Sequence, residues 1–359
     1  MKLLNYICMI VASLFAILSL AFCVYGTIID MLSTHSDDFL IMSAILGYIL
    51  WIVSLCITLV LHELGHALFG WLTGFELVAL GFGNRVLVRR DERWKWEKKV
   101  IIQDAAAYYV GIKRDENDTR LILMFAGGLI VHLSLTVLFL LLGWLTGYWY
   151  LCLAQIFLNL SLFMLNANPN GILDGAKIWD LWKYPESAKY AIHSLRHITQ
   201  MLLDANGADL KDFVLDVSLS QDQFCQVQHL NQSELYLFQH QLEEAQKRLE
   251  SLIAFSHNSY IVTCAKLVLL AVYVLQDKKE EVRELIKDKA VKKLLKYPMT
   301  DCQAIAALYH LRISRDEKAL AKAIKLGNKS LAISPMLRDE RAYYTQLLEM
   351  VEKERQMID

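Results

Sequence analysis

The distribution of apolar residues divides the chain into two contrasting halves. Apart from Lys2, no lysine or arginine precedes Arg85, and none lies between Arg120 and Lys177. A helix that crosses a bilayer needs about 20 consecutive apolar residues. The two stretches that lack basic residues are long enough for two crossings each, so they predict four transmembrane helices. These helices are expected at about residues 3–29, 39–72, 121–145 and 148–165.

The charges of the connecting loops predict the orientation of these helices. The loop at residues 30–38 contains acids and a histidine but no lysine or arginine, whereas the loop at 73–120 is rich in both. Loops that carry an excess of basic residues stay on the cytoplasmic side of a membrane. We therefore expect an integral, multi-pass protein in the lipid bilayer, with both termini and the C-terminal domain in the cytoplasm.

The basic loop also contains a strand pattern. Residues 85–89 and 94–97 alternate with a period of two, and the charged residues 90–93 separate them as a turn. The pattern predicts a small β-hairpin at the cytoplasmic or interfacial side. Trp94 and Trp96 would share one face of it, as is typical of a membrane interface.

From about residue 183 the chain has the composition of a soluble helical region. The similar tetrapeptides that contain Ala245, Val282 and Ala319 recur at a period close to that of tetratricopeptide-type helical hairpins. We predict an α-helical polytopic membrane domain at residues 1–182 and an all-α, solenoid-like domain at 183–359. Helical solenoids present concave surfaces, so a cytosolic protein or peptide partner is expected there.

Composition excludes several other classes of protein. The 359 residues carry a formal net charge of −1, and no basic block indicates binding to nucleic acid. The seven cysteines are scattered without a CxxC pair, which argues against a disulfide framework or a cysteine zinc site. The first apolar stretch is too long for a typical signal peptide, so we expect an uncleaved membrane helix.

The sequence His62-Glu63-Leu64-Gly65-His66 ends the second apolar stretch. Residues i and i+4 lie on one face of a helix, so His62 and His66 can bind one metal ion together. Glu63 lies beside that face, where it can accept a proton from a water molecule that the metal activates. Because ionisable groups are costly inside a bilayer, their presence there indicates a functional site.

A catalytic zinc ion takes three protein ligands and keeps a fourth position open. The third ligand is expected to be Asp174, which follows the fourth apolar stretch in the segment Asn166-Ala167-Asn168-Pro169-Asn170-Gly171-Ile172-Leu173-Asp174-Gly175. Pro169 interrupts helical hydrogen bonding, and Gly171 permits a sharp turn. Both polar segments are predicted near the cytoplasmic ends of antiparallel helices, so they would meet at a similar depth.

Together, the HELGH sequence and the later Asn166-to-Gly175 segment resemble the site-2 protease family of intramembrane zinc metalloproteases. The resemblance covers about residues 40–183 and implies that His62, His66 and Asp174 bind Zn²⁺. It also implies that Glu63 is the general base and that Asn166 helps to hold the substrate strand.

The chain departs from the family pattern on the third helix. Ala126-Gly127-Gly128 retains small residues, but Gly128 and Val131 replace the proline and asparagine that family members often carry there. His132 is either a substrate-positioning residue or a neutral, hydrogen-bonded interior histidine. The loop at 73–118 is too short for the PDZ domain of many family members, so another part of the chain must select substrates.

The resemblance implies an endopeptidase that cleaves a membrane-spanning protein or peptide in or near its transmembrane segment. Such cleavage would serve regulated intramembrane proteolysis or the processing of peptides and signal remnants. One alternative is a proteolytically silent membrane scaffold or sensor that binds partners through its C-terminal helices. A zinc transporter is a further alternative, but it needs a polar path across the bilayer that the apolar helices do not provide.

Overall fold

A computed structural model of the chain describes residues 2–34, 40–82, 85–90, 93–98, 108–112, 120–169, 173–203 and 208–357. The chain divides into two compact units. The first consists of residues 1–82 and 104–185, and the second of residues 83–103 and 186–359.

Four helices of the first unit are long and apolar enough to cross a membrane. They are α1 (Lys2–Thr34), α2 (Leu40–Leu72), α3 (Leu121–Thr146) and α4 (Trp149–Asn166). A shorter helix, α5 (Asp174–Lys183), also belongs to this unit. The structure thus confirms the predicted class of a polytopic helical membrane domain followed by an all-α region. The four helices begin and end within a few residues of the positions that hydropathy predicts.

The membrane helices expose large apolar side chains and bury small or polar ones. Ile41 is 75% exposed, whereas Ala12 and Ser19 are buried. The Ser19 hydroxyl donates to the carbonyl of Ala154 at 2.7 Å, and the Ser161 hydroxyl donates to the carbonyl of Ala12 at the same distance. Both bonds join α1 to α4 and satisfy polar groups that would be costly in lipid. The apolar outer surface is the one that a bilayer would cover.

Two antiparallel strand pairs lie between α2 and α3 in sequence. In the first unit β1 (Glu76–Phe82) pairs with β4 (Tyr108–Ile112), with an irregular register between Leu77 and Ala79. In the second unit β2 (Arg85–Arg90) pairs with β3 (Arg93–Glu97). The latter pair is the predicted hairpin. The predicted alternation is present in β2, where Val86 and Val88 are buried and Arg85 and Arg89 are exposed. It is absent from the burial of β3, where Trp94 and Trp96 are exposed and so is Lys95 between them.

The rest of the second unit is helical. Its helices are α6 (Ser187–Leu203), α7 (Gln223–Phe238), α8 (Leu242–Phe255), α9 (Ser259–Leu275), α10 (Lys279–Leu285), α11 (Lys289–Leu294), α12 (Thr300–Tyr309), α13 (Glu317–Leu331) and α14 (Arg338–Gln356). Buried residues such as Leu249, Leu270 and Ile305 form one continuous apolar core. This core is built by side chains from helices that are neighbours in sequence, as in a stack of helical hairpins.

A repeated turn marks the helical hairpins. His240, Asp277 and Arg315 have positive φ angles of 57°, 57° and 55°. Each lies two residues before a helix, respectively α8, α10 and α13. These turns are 37 and 38 residues apart, which agrees with the period that the sequence suggests. The short helices α10 and α11 interrupt any regular repeat, so the tetratricopeptide-like description stays a prediction.

The second unit contains an acid whose ionisation opposes folding. Burial, together with the nearby carboxyls of Glu340 and Asp301, raises the pKa of Glu234 on α7 to about 8. Its ordinary value is 4.5. In the unfolded chain Glu234 therefore ionises near pH 4.5, whereas the folded chain keeps it protonated until about pH 8. The stability that this protonated group contributes is present below pH 4.5 and is lost as the pH rises toward 8.

Glu234→Gln should remove the loss of folding stability that wild type shows as the pH rises from 4.5 to 8. We expect the variant to be more stable than wild type at pH 8 by about 4 kcal/mol, since the folded and unfolded pKa values of about 8 and 4.5 are separated by about 1.4 kcal/mol per pH unit and Glu234 is half protonated at pH 8. The two proteins should be nearly equal at pH 4.5. Thermal unfolding of the full chain in detergent across this range measures the difference, with the exposed Glu243→Gln as a control. Parallel pH profiles for wild type and Glu234→Gln would contradict the assignment.

Candidate metal centre

Three buried side chains direct ligand atoms to one point in the first unit. The Nε2 atoms of His62 and His66 are 3.2 Å apart, and each lies 3.1 Å from Oδ2 of Asp174. A tetrahedral zinc ion with bonds of about 2.0–2.1 Å separates neighbouring ligand atoms by about 3.3 Å. The three distances fit that geometry. Within the described residues this is the one group of histidine, cysteine or acidic side chains with the proximity that a metal ion needs.

The local structure around each ligand explains how they meet. Helix α2 continues through HELGH, so His62 and His66 share a face one turn apart. Asp174 is the first residue of α5, after the chain has left α4 at Asn166. Gly175 packs so closely against Ala167 that a Cβ atom there would lie 2.3 Å from its carbonyl carbon. A glycine at 175 therefore lets the chain turn back and bring Asp174 to the histidines.

Glycines also bring α3 against the HELGH turn. A Cβ atom on Gly65 would lie 2.6 Å from the carbonyl oxygen of Gly127, and one on Gly127 would lie 2.4 Å from that of Gly65. A Cβ atom on Gly128 would lie 2.2 Å from Cε1 of His62. The backbones of α2 and α3 thus touch directly at the site, as small residues permit in membrane helices. The small residues that remain at 126–128 are explained by this contact.

Gly128→Ala is expected to displace the imidazole of His62, because the added methyl group overlaps it. We predict that zinc affinity falls by at least about tenfold. Loss of a group that orients a metal ligand lowers metal affinity by a similar factor. Gly143→Ala is a matched control on the same helix α3, since its Cβ atom would lie 2.9 Å from the Trp149 ring of α4, away from the site. Competition with a chelator measures both affinities. Equal loss in the two variants would mean that helix crowding alone, and not the contact with His62, is responsible.

Hydrogen bonds orient both histidine rings. Nδ1 of His66 lies 2.8 Å from the carbonyl oxygen of Met124. A carbonyl only accepts, so Nδ1 of His66 carries the proton and its Nε2 lone pair is free for a metal. Nδ1 of His62 lies 3.0 Å from Nε2 of His132. The other ring nitrogen of His132 lies 3.1 Å from Oδ1 of Asn159, so both nitrogens of this buried histidine are used within the protein.

Asp174 has a second partner that sequence analysis did not identify. Its Oδ1 atom lies 3.4 Å from Nζ of Lys177, whose ammonium group also lies 5.0 Å from the ring centre of Phe125. Burial alone would raise the pKa of Asp174. The positive charge of Lys177, together with the closeness of the His62 and His66 rings, outweighs burial and holds this pKa well below its usual range. The carboxylate form is the one that binds a cation.

Glu63 is half-buried beside the three ligands. Its carboxyl is within electrostatic range of His66, His62 and Asp174. Among the residues that the structure describes, it makes no hydrogen bond.

The side chain of Asn166 bonds within its own helix and is not one of the three side chains that meet at the candidate metal centre. It is the last residue of α4, and its amide nitrogen donates to the carbonyl of Leu162 at 3.0 Å, one turn earlier in the same helix. The oxygen of its amide is not used in this bond. Sequence reasoning missed Asn159, although an isolated amide in an apolar helix is itself a signal of buried function.

Of three comparisons with known proteins, the one with protein families found a match. Neither the curated proteins nor the solved structures contain a match to the chain. The four apolar helices and the family comparison together support an integral membrane protein of metalloprotease type. Residues 50–149, which include the HELGH turn and His132 but not Asp174, match the model of peptidase family M50, the site-2 protease family.

Proposed function

We propose that this chain is a zinc-dependent intramembrane endopeptidase that hydrolyses a peptide bond in or near the transmembrane segment of a membrane-anchored substrate. The observation that carries the proposal is the cluster of three buried ligand atoms at mutual distances of 3.1–3.2 Å, at the end of an apolar membrane helix. The similarity of residues 50–149 to peptidase family M50 supports the same reaction class.

The reaction consumes one water molecule, breaks the C–N bond of the peptide and forms a C–O bond. His62, His66 and Asp174 hold the zinc ion, which when bound supplies positive charge that polarises the peptide carbonyl and acidifies water. Glu63 accepts the proton that the attacking water loses. It then returns this proton to the departing amine, which gives a carboxylic acid and an amine. The acid loses the second proton of the water to the amine, so the products at neutral pH are a carboxylate and an ammonium group.

Substrate access requires local unwinding, since a transmembrane helix holds its carbonyls in internal hydrogen bonds. Among the strands that the structure describes, β4 lies at the edge beside β1, and β1 begins four residues after α2 ends. An unwound segment can pair with such an edge through its backbone. We propose that β4 receives the substrate strand and that the side-chain amide oxygen of Asn166, which takes no part in the bond to Leu162, helps to hold it.

The arrangement in the cell follows from the loop charges. We propose that the basic loop, both termini and the helical domain at 183–359 face the cytoplasm. Helical stacks bind extended segments on their concave surfaces, so this domain is proposed to bind a cytosolic protein or peptide partner.

The decisive experiment compares membrane-protein termini in cells that produce wild type or Glu63→Gln, by quantitative mass spectrometry. Fragments that disappear in the variant, with accumulation of their precursors, would identify the substrate and the cleaved bond. Identical sets of termini, in cells where the protein is abundant and zinc-loaded, would favour a silent scaffold instead.

A further inference from the structure

A chain of polar side chains leads from the candidate metal centre into the centre of the membrane helices. His62 on α2 contacts His132 on α3 at 3.0 Å, and His132 contacts Asn159 on α4 at 3.1 Å. The amide nitrogen of Asn159 then donates to the carbonyl of Gln155 at 2.9 Å. His132 and Asn159 are completely buried, and His62 is nearly so. We call these three side chains the histidine relay.

The carbonyl at the far end of the histidine relay fixes the direction of every bond in it. The carbonyl of Gln155 can only accept, so the Asn159 amide presents its nitrogen to Gln155 and its oxygen to His132. Nδ1 of His132 must therefore carry a proton and donate it to that oxygen. A neutral His132 then has an unprotonated Nε2, which accepts a hydrogen bond from Nδ1 of His62.

These hydrogen bonds determine which nitrogen of the metal ligand His62 carries its proton. With its proton on Nδ1, His62 has a free lone pair on Nε2, the atom that points to Asp174 and His66. The rings of His62 and His132 are also stacked, with centres 4.9 Å apart and an angle of 30° between their planes. The histidine relay thus specifies both the tautomer and the orientation of His62.

We propose that His132 and Asn159 are positioning residues for the metal ligand His62, and that His132 does not contact the substrate. This inference rests on the proposed zinc-dependent function. Of the two roles that the sequence leaves open for His132, it favours the hydrogen-bonded interior histidine over the substrate-positioning residue, because both ring nitrogens already have partners.

The two histidine ligands differ in a way that makes the proposal testable. The tautomer of His66 is set by a backbone carbonyl, which side-chain substitution does not remove. The tautomer of His62 is set by side chains, which substitution does remove. A residue that hydrogen-bonds to a metal-bound histidine contributes about 10–100-fold to metal affinity. A residue that only joins helices would not change the coordination of the bound metal.

The test measures metal binding by the purified full chain in detergent. Zinc affinity is obtained by competition with a chelator, and Co²⁺ is added separately because its visible spectrum reports the ligands around the ion. We expect His132→Leu to weaken zinc binding about 10–100-fold and to change the Co²⁺ spectrum. His132→Gln retains an acceptor near the position of Nε2 and should recover most of the affinity.

Asn159 provides a second, independent variant. Asn159→Leu should weaken binding in the same direction, whereas Asn159→Asp keeps an oxygen acceptor for Nδ1 of His132 and should bind more tightly than Asn159→Leu. Ser161→Ala is the matched control, because it removes a buried hydroxyl from the same helix. That hydroxyl donates to the carbonyl of Ala12 and does not belong to the histidine relay. We expect its zinc affinity and Co²⁺ spectrum to equal those of wild type.

Wild-type zinc affinity and an unchanged Co²⁺ spectrum in His132→Leu would overturn the proposal and make the histidine relay a link between helices only. If His132→Leu does not fold, as thermal unfolding without metal would show, the Asn159 variants decide by the same two measurements. The proposed protease activity fails separately. It would be refuted by unchanged cleavage in Glu63→Gln, a variant that retains all three ligands and the histidine relay.

Discussion

Glu63→Gln is expected to lower the rate of substrate cleavage by about 100- to 10,000-fold, the range that general acid–base groups contribute. The amide cannot accept the proton of the attacking water, while its size preserves the packing of the HELGH turn. Zinc affinity should stay within about threefold of wild type, since Glu63 is not one of the three ligands that meet at 3.1–3.2 Å. The measurement is the cleavage rate of a substrate that the cellular comparison identifies.

A nearby glutamate provides the control for this substitution. Glu76 begins β1 in the same unit, and Glu76→Gln removes the same charge without touching the ligand cluster. We expect Glu76→Gln to cleave at a rate close to that of wild type. If Glu63→Gln cleaved as fast as Glu76→Gln, another group would be the general base and the role of Glu63 in the mechanism would be wrong.

The residues near the metal centre differ in how far sequence could predict them. The pairing of His62 with His66 depends only on helical geometry, so the five residues of HELGH predict it. Bringing Asp174 to them requires a long-range contact. That contact was inferable because each segment is polar within an apolar context and lies at a similar predicted depth. These three residues are the ones that the structure brings together.

The supporting contacts were beyond prediction for a physical reason. The bond from His66 to the carbonyl of Met124 involves backbone, which leaves no trace in residue type. The pairing of His132 with Asn159 depends on how α3 and α4 rotate against each other, and hydropathy does not specify rotation. The close approach of Gly128 to His62 depends on the crossing of α2 and α3. Each requires three-dimensional packing rather than local pattern.

In the helical domain, sequence predicted the long-range repeat better than the local turns. The period of about 37 residues was visible in sequence and recurs in the structure as three left-handed turns. Arg315 is a poor marker of such a turn, since glycine, asparagine, aspartate and histidine adopt positive φ more readily than arginine. Sequence therefore predicted the spacing of the hairpins but not the positions of their turns. The lengths of α10 and α11 were also not predicted, because their caps do not differ from those of longer helices.

Asp174→Ala should abolish the candidate metal centre. It removes one of three ligands, so we expect zinc affinity to fall by more than the roughly 100-fold upper range for groups that only orient a ligand. Cleavage should fall below detection at zinc concentrations that saturate wild type. This separates Asp174→Ala from Glu63→Gln, which should lose cleavage but keep the metal. Chelator competition and cleavage assays on the same preparations measure both effects.

A matched acid on the same helix tests whether the loss is specific. Asp180→Asn changes an acid two turns further along α5 and should leave zinc affinity and cleavage close to wild type. Asp174→Asn keeps the side-chain volume and the turn at Gly175, so it separates loss of the ligand from collapse of the backbone. Asp174→Asn should bind zinc far more weakly than Asp180→Asn while unfolding at a similar temperature. Equal zinc affinity in these two variants would place the third ligand elsewhere, and the contact between Asp174 and Lys177 would then be structural.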